Sequence, residues 1–152
     1  ARLVTRACGP PVRCTPVITL HMTAATRDPA LFVYLEDVAP DGRVTYLTEG
    51  QFRAIHRKPA DPATLPYDQG PAPHSFARAD AEPVVPGKPI ALRFSLFPTA
   101  ALIRRGHRLR VAIAGADADT FHRYSEGKPD RFIISYGGRK DSKISLFIRP
   151  WK

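Results

Sequence analysis

The chain has 152 residues, with 23 Lys and Arg against 14 Asp and Glu, which gives a formal net charge of +9. This length corresponds to one domain with a real core, and an apolar content of 43% excludes wholesale disorder. No run reaches the ~18 apolar residues of a membrane helix and no signal peptide is visible, so we expect a cytoplasmic protein without a membrane partner. The 16 prolines argue against a helical fold, because proline inside a helix removes a hydrogen bond.

The first half of the chain begins irregularly and then predicts strands. Residues 1–15 show no clean periodicity and contain two adjacent prolines, so we expect an irregular or truncated segment and place the domain itself at 16–152. From residue 16 the pattern alternates, which predicts a strand with Ile18, Leu20 and Met22 on one face and Thr19, His21 and Thr23 on the other. Residues 31–38 are dense in β-formers and predict a more fully buried strand.

A turn with a clear mechanism follows at residues 40–42, because Pro presets φ, Asp bonds locally and Gly accepts positive φ. Residues 43–48 predict the return strand of this hairpin. Gly50 interrupts the pattern, and residues 51–57 predict a separate short extended segment. The next tract, 58–87, holds seven prolines, so we expect it to run across the surface or to cover a sheet.

Four further strands are predicted in the second half, at residues 90–97, 107–114, 131–136 and 143–149. In the first of them Leu92, Phe94 and Leu96 share one face. Residues 99–105 predict a single helical turn. About eight short strands with turn residues between them favour an all-β sandwich or jelly roll.

The positive charge does not point to a nucleic-acid partner. Arginines supply most of the cations and are scattered. In the densest group, which is Arg104, Arg105, Arg108 and Arg110, the last two alternate with apolar residues as on the solvated face of a strand. No basic run is interleaved with aromatic residues. We therefore expect no nucleic acid among the partners.

The sequence predicts neither a metal site nor a cofactor. Cys8 and Cys14 are too few for a zinc site, and they are expected to be reduced thiols, although a disulfide between them stays open. An acidic loop fits no calcium-binding pattern and carries neutralising cations, so it is interpreted as solvated; its acids are Asp117, Asp119, Glu126 and Asp130.

No catalytic residue is predicted, because the nucleophile elbow G-x-S-x-G, the phosphate-binding loops and H-E-x-x-H are missing from the sequence. His74 precedes Ser75 in the proline-rich tract, where a turn or a surface contact is the favoured interpretation. For His107, at a strand entry, two interpretations are open, a catalytic base or a structural role at a sheet end or an interdomain face, and the structural role is favoured. Phe121 and Tyr124 are either a sugar-stacking platform or anchors that pack a loop, and packing is favoured. The candidate ligand or interdomain contacts are therefore His74, His107, Phe121 and Tyr124.

An ordered series of segments resembles the C-terminal domain of the Xaa-Pro dipeptidyl-peptidase and cocaine esterase (CocE/NonD-type) serine hydrolases. These segments are LFVYLEDVAPDGRVTYLT with Glu49 and Gly50, FRAIHR, HSFARADAEPVVP with Gly87, GHRLRVAIAGAD and SKISLFIRP. The resemblance covers about residues 16–150. The departure lies in the first 14 residues, where the family usually has an apolar strand.

The resemblance implies a jelly-roll β-sandwich of the galactose-binding-like type and a role without catalysis. It also implies a partner, the α/β-hydrolase domain that carries the Ser, Asp and His triad, which this chain lacks. In the family this domain packs on the catalytic domain and helps complete the substrate cleft or a homo-oligomer. The alternative hypothesis is a stand-alone carbohydrate-binding jelly-roll module, which rests on architecture alone.

Overall fold

The computed structural model describes residues 2–5, 15–122, 130–138 and 141–148, and it contains two β-sheets. The strands in chain order are β1 (Arg2–Thr5), β2 (Val17–Ala24), β3 (Ala30–Val38), β4 (Val44–Arg53), β5 (Ile90–Ser95), β6 (Arg108–Ala114), β7 (Phe132–Ser135) and β8 (Lys143–Leu146). Three short 3-10 helices span Ala54–His56, Pro62–Thr64 and Arg78–Asp80.

The larger sheet has five strands and the smaller has three. In the larger sheet β2 pairs antiparallel with β5 on one side and with β7 and β8 on the other, and β1 lies parallel to β8. The smaller sheet is antiparallel in the order β4-β3-β6. The predicted all-β sandwich is confirmed. The jelly-roll and galactose-binding-like assignments are finer and stay predictions.

The core lies between the sheets and comes from the alternating positions of the strands. The three residues predicted to share one face of β2 are buried, and so are Leu92 and Phe94 of β5 and Leu96, which follows β5 directly. The rings of Phe52 and Phe94 stack across the two sheets with centroids 4.9 Å apart. Buried residues on both sheets form one cluster that includes Ile18, Leu20, Met22, Leu31, Val33, Leu35, Phe52, Leu92, Phe94, Leu96, Ile144 and Leu146.

Two predictions about the first 57 residues are wrong. Arg2–Thr5 forms a strand within the segment predicted to be irregular, because its backbone pairs with β8 and such pairing needs no periodicity in the strand itself. β4 continues through Gly50 to Arg53, where two separate segments were predicted. At Gly50 the other sheet comes so close that an added Cβ would lie 2.9 Å from Ser95 O, so glycine here permits a close approach of the chains.

The helical turn predicted at residues 99–105 is also absent from the described structure. Phe97 N donates to Glu49 O at 2.7 Å, and the Thr99 hydroxyl donates to Leu47 O at 3.2 Å. These bonds hold the beginning of the stretch alongside the edge of β4 in an extended conformation, and this tertiary pairing overrides the local helical preference.

The proline-rich tract 58–87 contains no strand, as predicted, and its end is anchored by the buried Val84. Val84 N donates to Arg27 O at 2.8 Å. The Arg93 guanidinium in β5 donates to Pro71 O at 2.7 Å, so the tract runs beside β5. The proline-rich tract therefore covers the edge of β5 that does not pair with β2.

Candidate functional site

The two sheets present chemically different outer faces. On the larger sheet the outward residues of β2 are Thr19, His21 and Thr23, and all three are partly exposed. The register places Ala91 and Arg93 of β5 beside His21 and Thr19, and both are exposed. Ile133 of β7 lies beside Thr23 and is the exposed aliphatic side chain of this face, which is otherwise mostly polar and typical of a face in contact with water.

The outer face of the smaller sheet is aromatic. In β3 the residues Phe32, Tyr34 and Glu36 alternate with the buried core residues and point away from the larger sheet. Phe32 is only 5% exposed although it faces outward. The register sets Tyr46 of β4 opposite Glu36, and Glu49 opposite Tyr34. We call the surface formed by these five residues the aromatic face.

A β-bulge in β4 brings Tyr46 onto this face. The pairing shifts between Leu35 and Glu36, so that Leu35 pairs with Thr48 while Glu36 pairs with Tyr46. Without the extra residue Leu47, strict alternation from the buried Thr48 would direct Tyr46 towards the core. Tyr46 is instead 57% exposed, which makes it the large accessible aromatic group of the aromatic face.

The loop after β6 folds back over one end of the aromatic face. The Tyr34 hydroxyl donates to Asp117 Oδ2 at 2.9 Å, and Phe121 N donates to Asp117 O at 3.0 Å. The Phe121 ring packs on Phe32 with centroids 5.0 Å apart, which explains why Phe32 is buried. Beside this contact lies a cavity of about 360 Å³, lined by Ala30, Phe32, Gly115, Ala116, Asp117, Ala118, Phe121 and His122.

Two carboxylates, Asp117 and Glu49, act on the phenols at this end of the aromatic face. Burial, together with the hydrogen bond and the charge of Asp117, raises the pKa of Tyr34 to about 12, and Glu49 adds to the rise. Burial also raises the pKa of Tyr46, and the Glu49 charge contributes in the same direction. Both phenols are therefore protonated near neutral pH, and the Tyr34 hydroxyl is a hydrogen-bond donor.

Arginines occupy the other end of the aromatic face. Arg110 of β6 lies opposite Glu36, and its Nε donates to Glu36 Oε2 at 2.5 Å. Arg108 lies opposite Val38, one step further along the sheet. The arginines of the described structure also lie on the larger sheet, as Arg93 does, so they form no single cationic face. The absence of a nucleic-acid partner stays a prediction.

His74 is not a surface contact, contrary to the prediction. Its side chain is buried, with Nδ1 3.0 Å from Lys58 O and Nε2 2.8 Å from Arg93 O, and its ring packs 4.7 Å from Phe52. It joins the proline-rich tract to β5, so no surface ligand reaches it. The Ser75 hydroxyl instead donates to Asp80 Oδ2 at 2.7 Å, which is not the pairing of a catalytic Ser with His.

The other predicted contact residues have different environments. His107 Nδ1 lies 2.8 Å from Asp37 Oδ2, and this contact joins the start of β6 to the end of β3. Phe121 is 38% exposed and packs the loop onto the sheet. This is the interpretation that the sequence favours over a sugar-stacking platform. Tyr124 lies outside the described residues, as do Cys8 and Cys14.

The acidic loop is less solvated than predicted. Asp117 accepts from Tyr34, and Asp130 Oδ1 accepts from the Thr26 hydroxyl at 2.6 Å, whereas Asp119 is exposed and Glu126 lies outside the described residues. Within the described part of the chain no three His, Cys, Asp or Glu side chains form a group suited to a metal ion. Among the described residues no helix is long and apolar enough to cross a membrane.

Comparison with known proteins decides the family. Residues 12–142 match the family described as the X-Pro dipeptidyl-peptidase C-terminal non-catalytic domain. The chain belongs to this family. Membership confirms the resemblance found in the sequence and identifies the chain as a non-catalytic domain of a hydrolase family.

Two mycobacterial relatives share the sequence of this domain. Proteins named "Putative serine esterase" from Mycobacterium bovis and Mycobacterium tuberculosis are each 49% identical over 126 residues. The match covers 80% of this chain but 20% of each relative, so the chain spans about one fifth of their length.

Solved structures show the same fold. Two crystal structures of a CocE/NonD family hydrolase from Staphylococcus aureus superpose with TM-scores of 0.64 and 0.63 at 16% and 17% identity. Each superposition covers 88% of this chain and 28% of the hydrolase.

Proposed function

We propose that this chain is the accessory domain of an α/β-hydrolase-type serine hydrolase that acts on acyl esters or on Xaa-Pro peptides. In this proposal the domain packs on the catalytic domain through the aromatic face and helps to shape the substrate cleft or an oligomer. The chemistry then resides in the catalytic domain, which would supply the Ser, Asp and His triad for an acyl-enzyme mechanism.

The observation that carries this proposal is the difference between the two outer faces. The aromatic face exposes Tyr46 and buries Phe32, whereas the outer face of the larger sheet carries threonines, His21, Arg93 and Ala91, with Ile133 as an exposed aliphatic side chain and no Phe, Tyr or Trp ring among these residues. Tyrosine, phenylalanine and arginine are enriched at the centres of protein interfaces, and exposed apolar patches mark such contacts. The aromatic face is therefore the better candidate for burial against another domain.

The first test asks whether the 152-residue chain is inert on its own. We expect no hydrolysis of a chromogenic acyl ester or of an Xaa-Pro anilide above the rate in buffer. Turnover that disappears in the Ser75→Ala variant would make this chain catalytic. Turnover that survives this substitution would also contradict the assignment of the chemistry to another domain. The catalytic residues would then lie in this chain at positions other than Ser75.

The second test places the domain in a whole enzyme. In a chimera, this chain replaces the matching segment of the M. tuberculosis relative, and ester hydrolysis is followed as the temperature rises. Tyr46→Asp should lower the temperature of half-inactivation, because an unpaired charge would be buried in the contact. The matched control is Ile133→Asp, since Ile133 is 73% exposed on the larger sheet. Loss in the control with none for Tyr46→Asp would contradict the proposal.

A second candidate function is binding of carbohydrate at the cavity beside Phe121. The observation in its favour is a cavity of about 360 Å³ that combines Phe32 and Phe121 with a carboxylate. Screening of the isolated chain on a glycan array tests it, with Phe121→Ala as the variant that should lose binding. Absence of binding to every glycan would remove this candidate.

A further inference from the structure

We propose that the cavity beside the aromatic face binds one cationic side chain, a guanidinium or an ammonium, presented by the catalytic portion of the enzyme. This inference rests on the proposed function and adds to it the chemistry of the contact. No residue of the cavity other than Phe121 figures among the contacts predicted from the sequence.

The walls of the cavity suit a flat or compact cation. The Phe32 and Phe121 rings, with centroids 5.0 Å apart and planes inclined by 46°, form an aromatic corner. Four of the lining residues are Ala or Gly, which leaves room for an incoming group. A volume of about 360 Å³ is at the lower end for small-molecule sites and suits a single inserted side chain. Aromatic faces attract cations within about 6 Å of the ring centroid.

The carboxylate of Asp117 selects the charge of the occupant. Tyr34 holds Oδ2 in place at 2.9 Å, and the Asp117 side chain is partly exposed. An apolar occupant would leave this carboxylate desolvated without a counter-charge, which is costly. An anionic occupant would be repelled. A guanidinium or an ammonium instead gains a charge-assisted hydrogen bond.

The surroundings strengthen the preference for a cation. Asp117 and Glu49 both raise the pKa of Tyr34, so two carboxylates act on this end of the aromatic face although the whole chain carries +9, and His122 is the basic side chain in the cavity lining. The nearest β6 arginine on this face, Arg110, is already paired with Glu36. A basic side chain of the catalytic portion would therefore meet a surface of complementary charge. A small basic molecule in solution would meet the same surface.

The direct test uses the isolated chain and three small probes: n-butylguanidinium, its neutral analogue n-butylurea, and butyrate. Amide chemical shifts of Gly115, Ala116 and Ala118 report binding at the cavity in NMR titrations. We expect saturable shifts with n-butylguanidinium that weaken as salt is added, and affinity at least about tenfold lower for n-butylurea and for butyrate, consistent with a charge-assisted contact. Equal binding of the guanidinium and the urea, or no binding of either, would overturn the proposal.

Matched variants assign the effect to the carboxylate. Asp117→Asn keeps an acceptor for Tyr34 and removes the charge, so it should weaken n-butylguanidinium binding about tenfold or more. Asp119→Asn makes the same charge change at an exposed position of the same loop and should alter the affinity less than about twofold. Phe121→Leu removes an aromatic wall and should weaken the guanidinium selectively, which keeps the test valid if Asp117→Asn fails to fold. Equal effects of the two Asp variants would contradict the proposal.

The chimera separates this inference from the proposed function. If Tyr46→Asp destabilises the chimera but Asp117→Asn and Asp119→Asn behave alike, the domain packs as proposed and the cation site is wrong. If the isolated chain binds n-butylguanidinium but Tyr46→Asp leaves the chimera unchanged, the proposed packing is wrong, and with it the occupant named here. If the isolated chain forms a dimer that Asp117→Asn dissociates, the occupant is a second copy and the assignment to the catalytic portion is overturned.

Discussion

Replacement of His74 by alanine should destabilise the chain strongly, although this histidine stands beside a serine and resembles a candidate catalytic residue in the sequence. Its ring lies 3.0 Å from Lys58 O and 2.8 Å from Arg93 O, and its side chain is 3% exposed. A buried carbonyl that loses its partner costs about 1–3 kcal/mol. Because a neutral imidazole has one N–H, it donates to one of these carbonyls, and its loss predicts a fall of about 1–3 kcal/mol in the free energy of unfolding, with a further loss from the packing on Phe52.

Urea unfolding followed by fluorescence measures this effect, and an unchanged m-value would show that the native state remains compact. His74→Gln keeps amide donors for one carbonyl and should lose about half as much free energy. His21→Ala is the matched control on the polar outer face, where a surface substitution changes stability by about 0.5 kcal/mol or less. A loss below about 1 kcal/mol for His74→Ala would refute the reasoning that this residue is a structural link.

Three further predictions concern a close approach, a turn and a titration. Gly50→Ala should cost about 1–3 kcal/mol by urea unfolding, because the added Cβ would lie 2.9 Å from Ser95 O, and no change would show that the sheets can separate there at little cost. Gly42→Ala should cost about 1 kcal/mol in the same assay, because Gly42 has φ of +87° in the hairpin turn, and a gain in stability would contradict this. The pKa of Tyr34 is raised, so its contribution to stability is present below the ordinary value of about 10 and is lost as the pH rises to about 12. In tyrosinate absorbance the Tyr34→Phe variant should lack a phenol that titrates near pH 12, whereas loss of a phenol titrating near 10 would contradict the account.

The sequence predicts the architecture well where a residue's role depends on its own strand. The alternation in β2 and β5 correctly predicts which residues enter the core, because a two-residue period is fixed by strand geometry. The turn at Asp41 and Gly42 is also predictable, and Arg43 N donates to Asp41 Oδ1 at 3.0 Å. Features that depend on a distant partner are not predictable in this way, and β1 is an example, since its pairing with β8 defines it.

The candidate site is less accessible to sequence reasoning than the fold. Tyr46 faces outward because of a bulge at Leu47, and the sequence carries no signal for that extra residue. Asp117 is a partner of Tyr34 rather than a solvated acid, because the loop after β6 folds back across 83 residues of sequence separation. Phe121 is the exception, since a large aromatic ring in a polar loop predicts an anchor, and its contact with Phe32 agrees with that.

The central claim, that the aromatic face packs on the catalytic domain, can be tested most directly by hydroxyl-radical footprinting of the isolated chain and of the chimera. Tyr46 and Tyr136 are both exposed in the isolated chain, at 57% and 82%, but only Tyr46 belongs to the aromatic face. The account predicts that oxidation of Tyr46 falls at least about fivefold in the chimera while Tyr136 remains as reactive as before, since residues at the centre of an interface lose their contact with water. Unchanged oxidation of Tyr46 in an active chimera would contradict it.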